Sequence, residues 1–128
     1  MKKNNLKIFG ELEAEIMEIM WRTGSASVRD VLSFLKKKKK IAYTTVMTVM
    51  SRLCDKGILN REEDNCKAFI YTPAKDKKTF MQKASAEMIK GFLKEYGDIA
   101  VAQFIDIIES SDAKYSADWK NKLRSLIK

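Results

Sequence analysis

In IAYTTVMTVMSRLCDKG, residues 41–57, the side chains equipped for chemistry are Thr44, Thr45, Thr48, Ser51 and Arg52. Short hydroxyls donate to phosphate oxygens or lie against a thymine methyl, and the arginine fork suits guanine or phosphate. Their spacing decides whether they act together. At about 100° per residue, Thr44, Thr45, Thr48, Ser51, Arg52 and Asp55 share an arc of roughly 120°. Val46, Val49, Met50, Leu53 and Cys54 fall on the opposite side. Strict alternation, as in a strand, would mix the two sets, so the stretch is expected to be a helix from Tyr43 to Lys56, stopped by Gly57. Threonine and valine each lose up to ~0.7 kcal/mol against alanine in a helix interior. An outer face that accepts this loss points to a surface that meets a partner. Tyr43, at the helix start, could reach a phosphate.

Other chemistry is thinly represented. The chain has 2 cysteines, Cys54 and Cys66, and no histidine. A four-ligand zinc site would need carboxylates or a second subunit, and a structural disulfide is not expected in a cytosolic chain. Both cysteines therefore read as plain thiols, and no metal or cofactor is expected. The Glu62-Glu63-Asp64 run reads as a solvated turn rather than a metal cluster. Without histidine, the commonest general base is missing, and no glycine-rich phosphate loop, S-x-x-K or nucleophile elbow occurs. A binding protein, not an enzyme, is the expectation.

The elements that must position these residues follow from periodicity and punctuation. Gly10–Trp21 spaces Leu12, Ile16, Ile19 and Met20 at three and four, with glutamates between, and predicts an amphipathic helix ended at Gly24. Ser27 should cap a second helix reaching about Lys37, with Val31 and Leu35 inward. The lysine run Lys36–Lys40 follows; like charges repel, so it should be solvated and mobile, and it could grip phosphates. Beyond the third helix, residues 58–63 and 68–72 are short β-type runs around the turn-type residues 64–67, predicting a hairpin closed by Pro73. Helix, helix, helix, hairpin is the order of a winged helix-turn-helix, in which the third helix enters the major groove and the wing, here with Arg61 and Lys67, reaches phosphates.

Everything past Pro73 reads as helical. The fold expected is mostly α with one small β-hairpin: a winged helix-turn-helix domain over residues 1–73 and a helical dimerisation domain over 74–128. Residues 75–96 carry apolar residues at heptad-like spacing, and Gly97 breaks them from residues 98–108, apolar on nearly all sides. A small domain has too little core to bury such a helix. A homodimer interface explains it better, with Phe92, Ile99, Phe104, Ile107 and Ile108 as contacts. Ser116 should cap a last helix carrying Trp119, Leu123, Leu126 and Ile127.

A net charge of +8 over 128 residues favours a polyanionic partner, nucleic acid or an anionic membrane surface. The hydroxyl-rich face of the third helix does nothing at a membrane, so double-stranded DNA is favoured and stable membrane association is not expected. With no apolar h-region and no run of 18 apolar residues, the chain reads as cytoplasmic.

The segments LEAEIMEIMW, AYTTVMTVMSRL and DKGIL, and the wing ending Tyr71-Thr72-Pro73, resemble the penicillinase and methicillin-resistance repressor family (BlaI/MecI, with copper-responsive CopY relatives). The resemblance is close over about residues 6–73 and looser beyond. It implies a homodimeric repressor on a palindromic operator, with Thr44, Thr45, Thr48 and Arg52 as recognition-helix contacts. In the penicillinase branch a membrane sensor protease cuts the repressor in its dimerisation region. The corresponding position here is Gln103-Phe104, with glutamine where the family's better-known cut follows asparagine. The copper branch carries paired C-x-C motifs in its tail, whereas this chain ends LRSLIK, so copper sensing by that route is not expected. The alternative within transcription is a winged-helix regulator relieved by a small-molecule or metal ligand.

Overall fold

The computed structural model describes residues 9–110, together with Asp118, Asn121 and Ser125. Helix α1 spans Glu11–Thr23, α2 Val28–Lys36 and α3 Tyr43–Asp55; strands β1 and β2 span Leu59–Glu63 and Phe69–Pro73; α4 and α5 span Lys77–Tyr96 and Asp98–Ser110. The five helices and the two-stranded hairpin have the order of a winged helix-turn-helix followed by further helices. The Ser116-capped helix with Trp119, Leu123, Leu126 and Ile127 lies outside the described residues.

Several helix ends have a local cause. Glu13 accepts a hydrogen bond from the Gly10 N–H at 3.0 Å and so closes the first turn of α1. Ser27 and Asp30 form a reciprocal capping box on α2: the Asp30 N–H donates to Ser27 Oγ at 3.1 Å, and the Ser27 N–H to Asp30 Oδ2 at 3.0 Å. Helix α3 ends in a Schellman motif, with Gly57 at φ 79°. There the Ile58 N–H donates to the Leu53 carbonyl and the Gly57 N–H to the Cys54 carbonyl, each at 2.9 Å.

The chain divides into two compact units, Met1–Ala84 and Ser85–Lys128. In the first, Ile16, Met17 and Met20 of α1 pack with Val31 and Leu35 of α2 and Val46, Met50 and Leu53 of α3, and Leu59 and Tyr71 close the core from the hairpin. The wing is antiparallel, with Leu59 opposite Pro73 and Arg61 opposite Tyr71. Ala26 adds a third, one-residue rung, its N–H donating to the Tyr71 carbonyl at 3.0 Å and its carbonyl accepting from the Tyr71 N–H at 2.9 Å. That rung ties the α1–α2 turn to the wing and sets the wing's orientation against the helices. β2 ends at Pro73, but the first compact unit runs on to Ala84, so the first turns of α4 pack with the winged unit. Phe80 stacks on Phe9 at 5.0 Å, and Trp21 Nε1 donates to the Lys75 carbonyl at 3.0 Å. Asp76, a cap the sequence reading missed, accepts from the Thr79 N–H at 3.1 Å and delays the start of α4 from Lys75 to Lys77.

The second unit is built differently. Gly97, at φ 58°, separates α4 from α5. Among its described residues only Ile108 is buried, at 7% exposure, while Ile99 is 72% exposed. Phe92, Phe104 and Ile107 are exposed with it. Ile108 thus differs in burial from the other four residues expected as contacts. No described helix is long and apolar enough to cross a membrane.

Candidate nucleic-acid interface

Helix α3 divides as its wheel predicts. Val46, Met50 and Leu53 are fully buried, and Thr44, Thr45, Thr48 and Arg52 are exposed. Burial of the valine and leucine side chains, each worth about 1.5–3 kcal/mol, exceeds the propensity loss that the threonines impose. The apolar face therefore holds the helix, and the polar face is free to project. Val49 and Cys54 are half-buried at the edge of the core. Burial pushes the Cys54 thiol pKa up, away from the lowered values of reactive thiols.

Two residues the wheel did not single out belong to this surface. Met47 is exposed on the flank of the threonine arc. Arg29, in the first turn of α2, holds its guanidinium 5.7 Å from the centre of the Tyr43 ring. Tyr43 itself is 41% exposed, so it opens the helix at the surface rather than packing into the core. Arg29 could have been suspected only from its place beside a helix start; its neighbour in space is fourteen residues away in sequence.

On the wing, Arg61 and Lys67 are both exposed. Arg61 places its guanidinium 4.4 Å from the centre of the Phe69 ring and donates from Nη1 to the Tyr71 hydroxyl at 3.4 Å. Lys67 sits at the tip with φ 63°, a left-handed conformation unusual for a residue with a side chain. Asp64 makes that turn: its Oδ1 accepts from the N–H of Cys66 at 2.8 Å and of Ala68 at 3.0 Å. Oδ1 of this carboxylate thus closes an Asx turn, while Glu62 and Glu63 lie in β1 rather than in the turn expected of the run.

The charges are sorted. Acids of α1 meet lysines from distant segments: Glu15 pairs with Lys39, Glu13 with Lys56 at 3.2 Å, and Glu18 with Lys77 at 2.7 Å. Burial raises the Glu13 carboxyl pKa, but the Gly10 N–H and Lys56 outweigh it and hold the group below the ordinary glutamate value, with a smaller contribution from Arg52. Among the described residues, no carboxylate lies within ion-pair distance of Arg29, Arg52, Arg61 or Lys67. The lysine run is largely solvated, as expected, and is also tied back to the helices. Lys38 and Lys39 turn back onto the Leu35 carbonyl at 3.0 and 3.1 Å, Lys39 is held by Glu15, and Lys37 lies 5.4 Å from the centre of the Phe34 ring. Lys36, Lys37, Lys38 and Lys40 remain exposed. Attraction to Glu15 across the α1–α2 packing offsets the repulsion within the run.

In the second unit, Gln103 and Phe104 are both exposed on α5. An open groove of about 600 Å³, lined by residues that include Ile89, Phe92, Tyr96, Ile99, Phe104 and Ile107, runs along its apolar face.

Comparison with known proteins converges on one family. The family model described as penicillinase repressor matches residues 9–128. The penicillinase repressor of Bacillus licheniformis is 26% identical over 96 residues, covering 75% of this chain and 74% of that protein. The transcriptional regulator BlaI of Mycobacterium tuberculosis is 40% identical over 65 residues, 50% of this chain and 46% of that protein. The methicillin resistance regulatory protein MecI of Staphylococcus aureus is 28% identical over 94 residues, 73% of this chain and 76% of that protein. Among solved structures, the DNA-binding domain of the repressor BlaI matches at a TM-score of 0.49 and 29% identity, covering 57% of this chain and 88% of that one.

Proposed function

The chain belongs to the penicillinase repressor family, a family of transcriptional repressors, and we propose that it works as a cytoplasmic homodimer on a palindromic operator in double-stranded DNA. The observation that carries this reading is the exposed arc of Thr44, Thr45, Thr48 and Arg52 on a helix whose opposite face buries Val46, Met50 and Leu53. Seated in the major groove, that arc presents three short hydroxyls and one bidentate donor to base edges. Tyr43 and Arg29 at the helix start, and Arg61 and Lys67 on the wing, meet the flanking phosphates. Base contacts supply sequence choice, and phosphate contacts supply register and most of the affinity.

The exposed apolar face of α4 and α5 supports the homodimer. A second copy would cover Phe92, Ile99, Phe104 and Ile107, and a two-fold pair of winged units matches a palindrome of two half-sites. Relief by proteolysis at Gln103-Phe104 would act through this face, because a cut in α5 divides the surface that holds the dimer. The bond lies inside a helix, so the protease must first open that turn. A β-lactam challenge in cells tests this step. Target genes induced while the protein stays intact would remove proteolysis from the scheme, leaving relief by a small molecule bound in the apolar groove.

Selection of bound fragments from genomic DNA, followed by anisotropy titration of the recovered duplex, tests the reading as a whole. A recovered palindrome bound about 10³-fold or more above mixed-sequence competitor is the expected result. Equal affinity for both would remove the operator-reading role.

A further inference from the structure

Phe69 is a large aromatic residue, 41% exposed, on a strand whose core contact is made by Tyr71. Packing accounts for only part of it: the ring meets Tyr71 edge-on, with 6.4 Å between centroids. Its face is covered by the Arg61 guanidinium at 4.4 Å, and the same guanidinium donates to the Tyr71 hydroxyl at 3.4 Å. The strand register explains how these groups meet. Arg61 stands opposite Tyr71 and Glu63 opposite Phe69, so all four side chains share one face of the hairpin and Arg61 reaches diagonally to Phe69.

We propose that Phe69 is a positioning residue of the wing: its ring, with the Tyr71 hydroxyl, holds the Arg61 guanidinium so that its free edge meets a DNA backbone phosphate. This rests on the DNA-binding role proposed above and adds how the wing achieves it. A guanidinium stacks by its face and hydrogen-bonds by its edge. Of its five N–H donors, one is directed to Tyr71 and the face is taken by Phe69, which leaves edge donors for a bidentate phosphate contact. The alternative fate of this arginine is close at hand. Glu63 lies two residues along the same face, and Glu62 is adjacent, yet neither stands within ion-pair distance of Arg61. Without the ring, a flexible arginine can fold back onto Glu63, and the wing loses the cation it presents to DNA. Fixing the side chain in advance also removes an ordering cost from binding.

The full-length chain and a mixed-sequence DNA duplex provide the test, with affinity measured over a series of salt concentrations. Arg61→Gln should lower the slope of log K against log salt by about one per wing. Phe69→Leu, close in volume but without the ring, should weaken binding about two- to tenfold per wing at an unchanged melting temperature. Phe69→Tyr should bind as the unsubstituted protein does. In the Arg61→Gln background, Phe69→Leu should have no further effect. A Phe69→Leu loss that persists in that background would mean the ring contacts DNA itself, and the positioning role would be wrong. Unchanged binding by Phe69→Leu, or an unchanged salt slope for Arg61→Gln, would overturn the inference while leaving the repressor role intact. No DNA binding by the unsubstituted chain would overturn both.

Discussion

The two units of this protein treat apolar surface in opposite ways. The winged unit buries its large side chains: Ile16, Met17, Met20, Val31, Val46, Met50, Leu53, Leu59 and Tyr71 are all at or near zero exposure. The second unit leaves Ile89, Phe92, Leu93, Tyr96, Ile99, Val101, Phe104 and Ile107 open to solvent. On the reading proposed above, this contiguous apolar face is the surface that a second copy covers. The winged unit needs no partner for its core, so its exposed residues are available for recognition. In the helical unit, on that reading, the exposed residues are core that a second copy completes.

The largest expected effect breaks the self-sufficient side of this contrast. Leu53→Ala should destabilise the winged unit by about 2–5 kcal/mol, because a fully buried leucine leaves both lost transfer energy and a cavity. Chemical unfolding followed by circular dichroism measures it; a loss below about 1 kcal/mol would mean the core yields easily. Next in size is a break on the other side. Ile107→Glu should weaken self-association by more than ~2 kcal/mol, since an unpaired charge would be desolvated at the interface. The winged unit should unfold as before. Sedimentation equilibrium reads the first quantity, and an unchanged dimer would show that this face is not the interface.

A smaller effect sharpens the contrast by separating recognition from stability. Thr48→Ala and Arg52→Ala should each cost about 1–3 kcal/mol in discrimination between operator and competitor DNA, with the melting temperature unchanged. Equal loss on both DNAs would reassign the residue to phosphate contact. The smallest effect is a pH dependence within the winged unit. The folded-state pKa of Glu13 is depressed, so its contribution is present above the ordinary glutamate value of about 4.3 and is lost as pH falls through the lower folded value. Glu13→Gln should therefore reduce the difference in stability between neutral and acid pH. An acid limb identical to that of the unsubstituted chain would show that the pair with Lys56 contributes nothing to folding.

Much of this arrangement was legible in sequence because it is local. The inward and outward faces of α3 follow from a 3.6-residue period, and its last turn differs from expectation by one residue, Asp55 against Lys56. The hairpin was visible in its turn residues. Arg29 and Phe69 were not visible as parts of a surface, because each acquires its meaning from a residue on another element. Asp76 was missed as a cap because the lysines on either side of it obscure where the helical pattern begins. The anchor of the lysine run was hidden for a related reason: repulsion along the chain can be read directly, while the Glu15 carboxylate that holds Lys39 comes from 24 residues away.

By itself, the sequence determined where the chain turns and which way each helix faces. Gly24 and Gly57 end α1 and α3, and Gly97 parts α4 from α5, because a positive φ is cheap only without a side chain. The threonines and Arg52 project because the buried residues occupy the other side of the same helix. Only the tertiary structure decided which charges stay free. Lys39, Lys56 and Lys77 are taken up by the acids of α1, while Arg29 and Arg61 rest on aromatic rings with no carboxylate within ion-pair distance among the described residues. Periodicity and backbone conformation act over a few residues. Ion pairs and ring contacts depend on which segments the core brings together, and no local pattern encodes that.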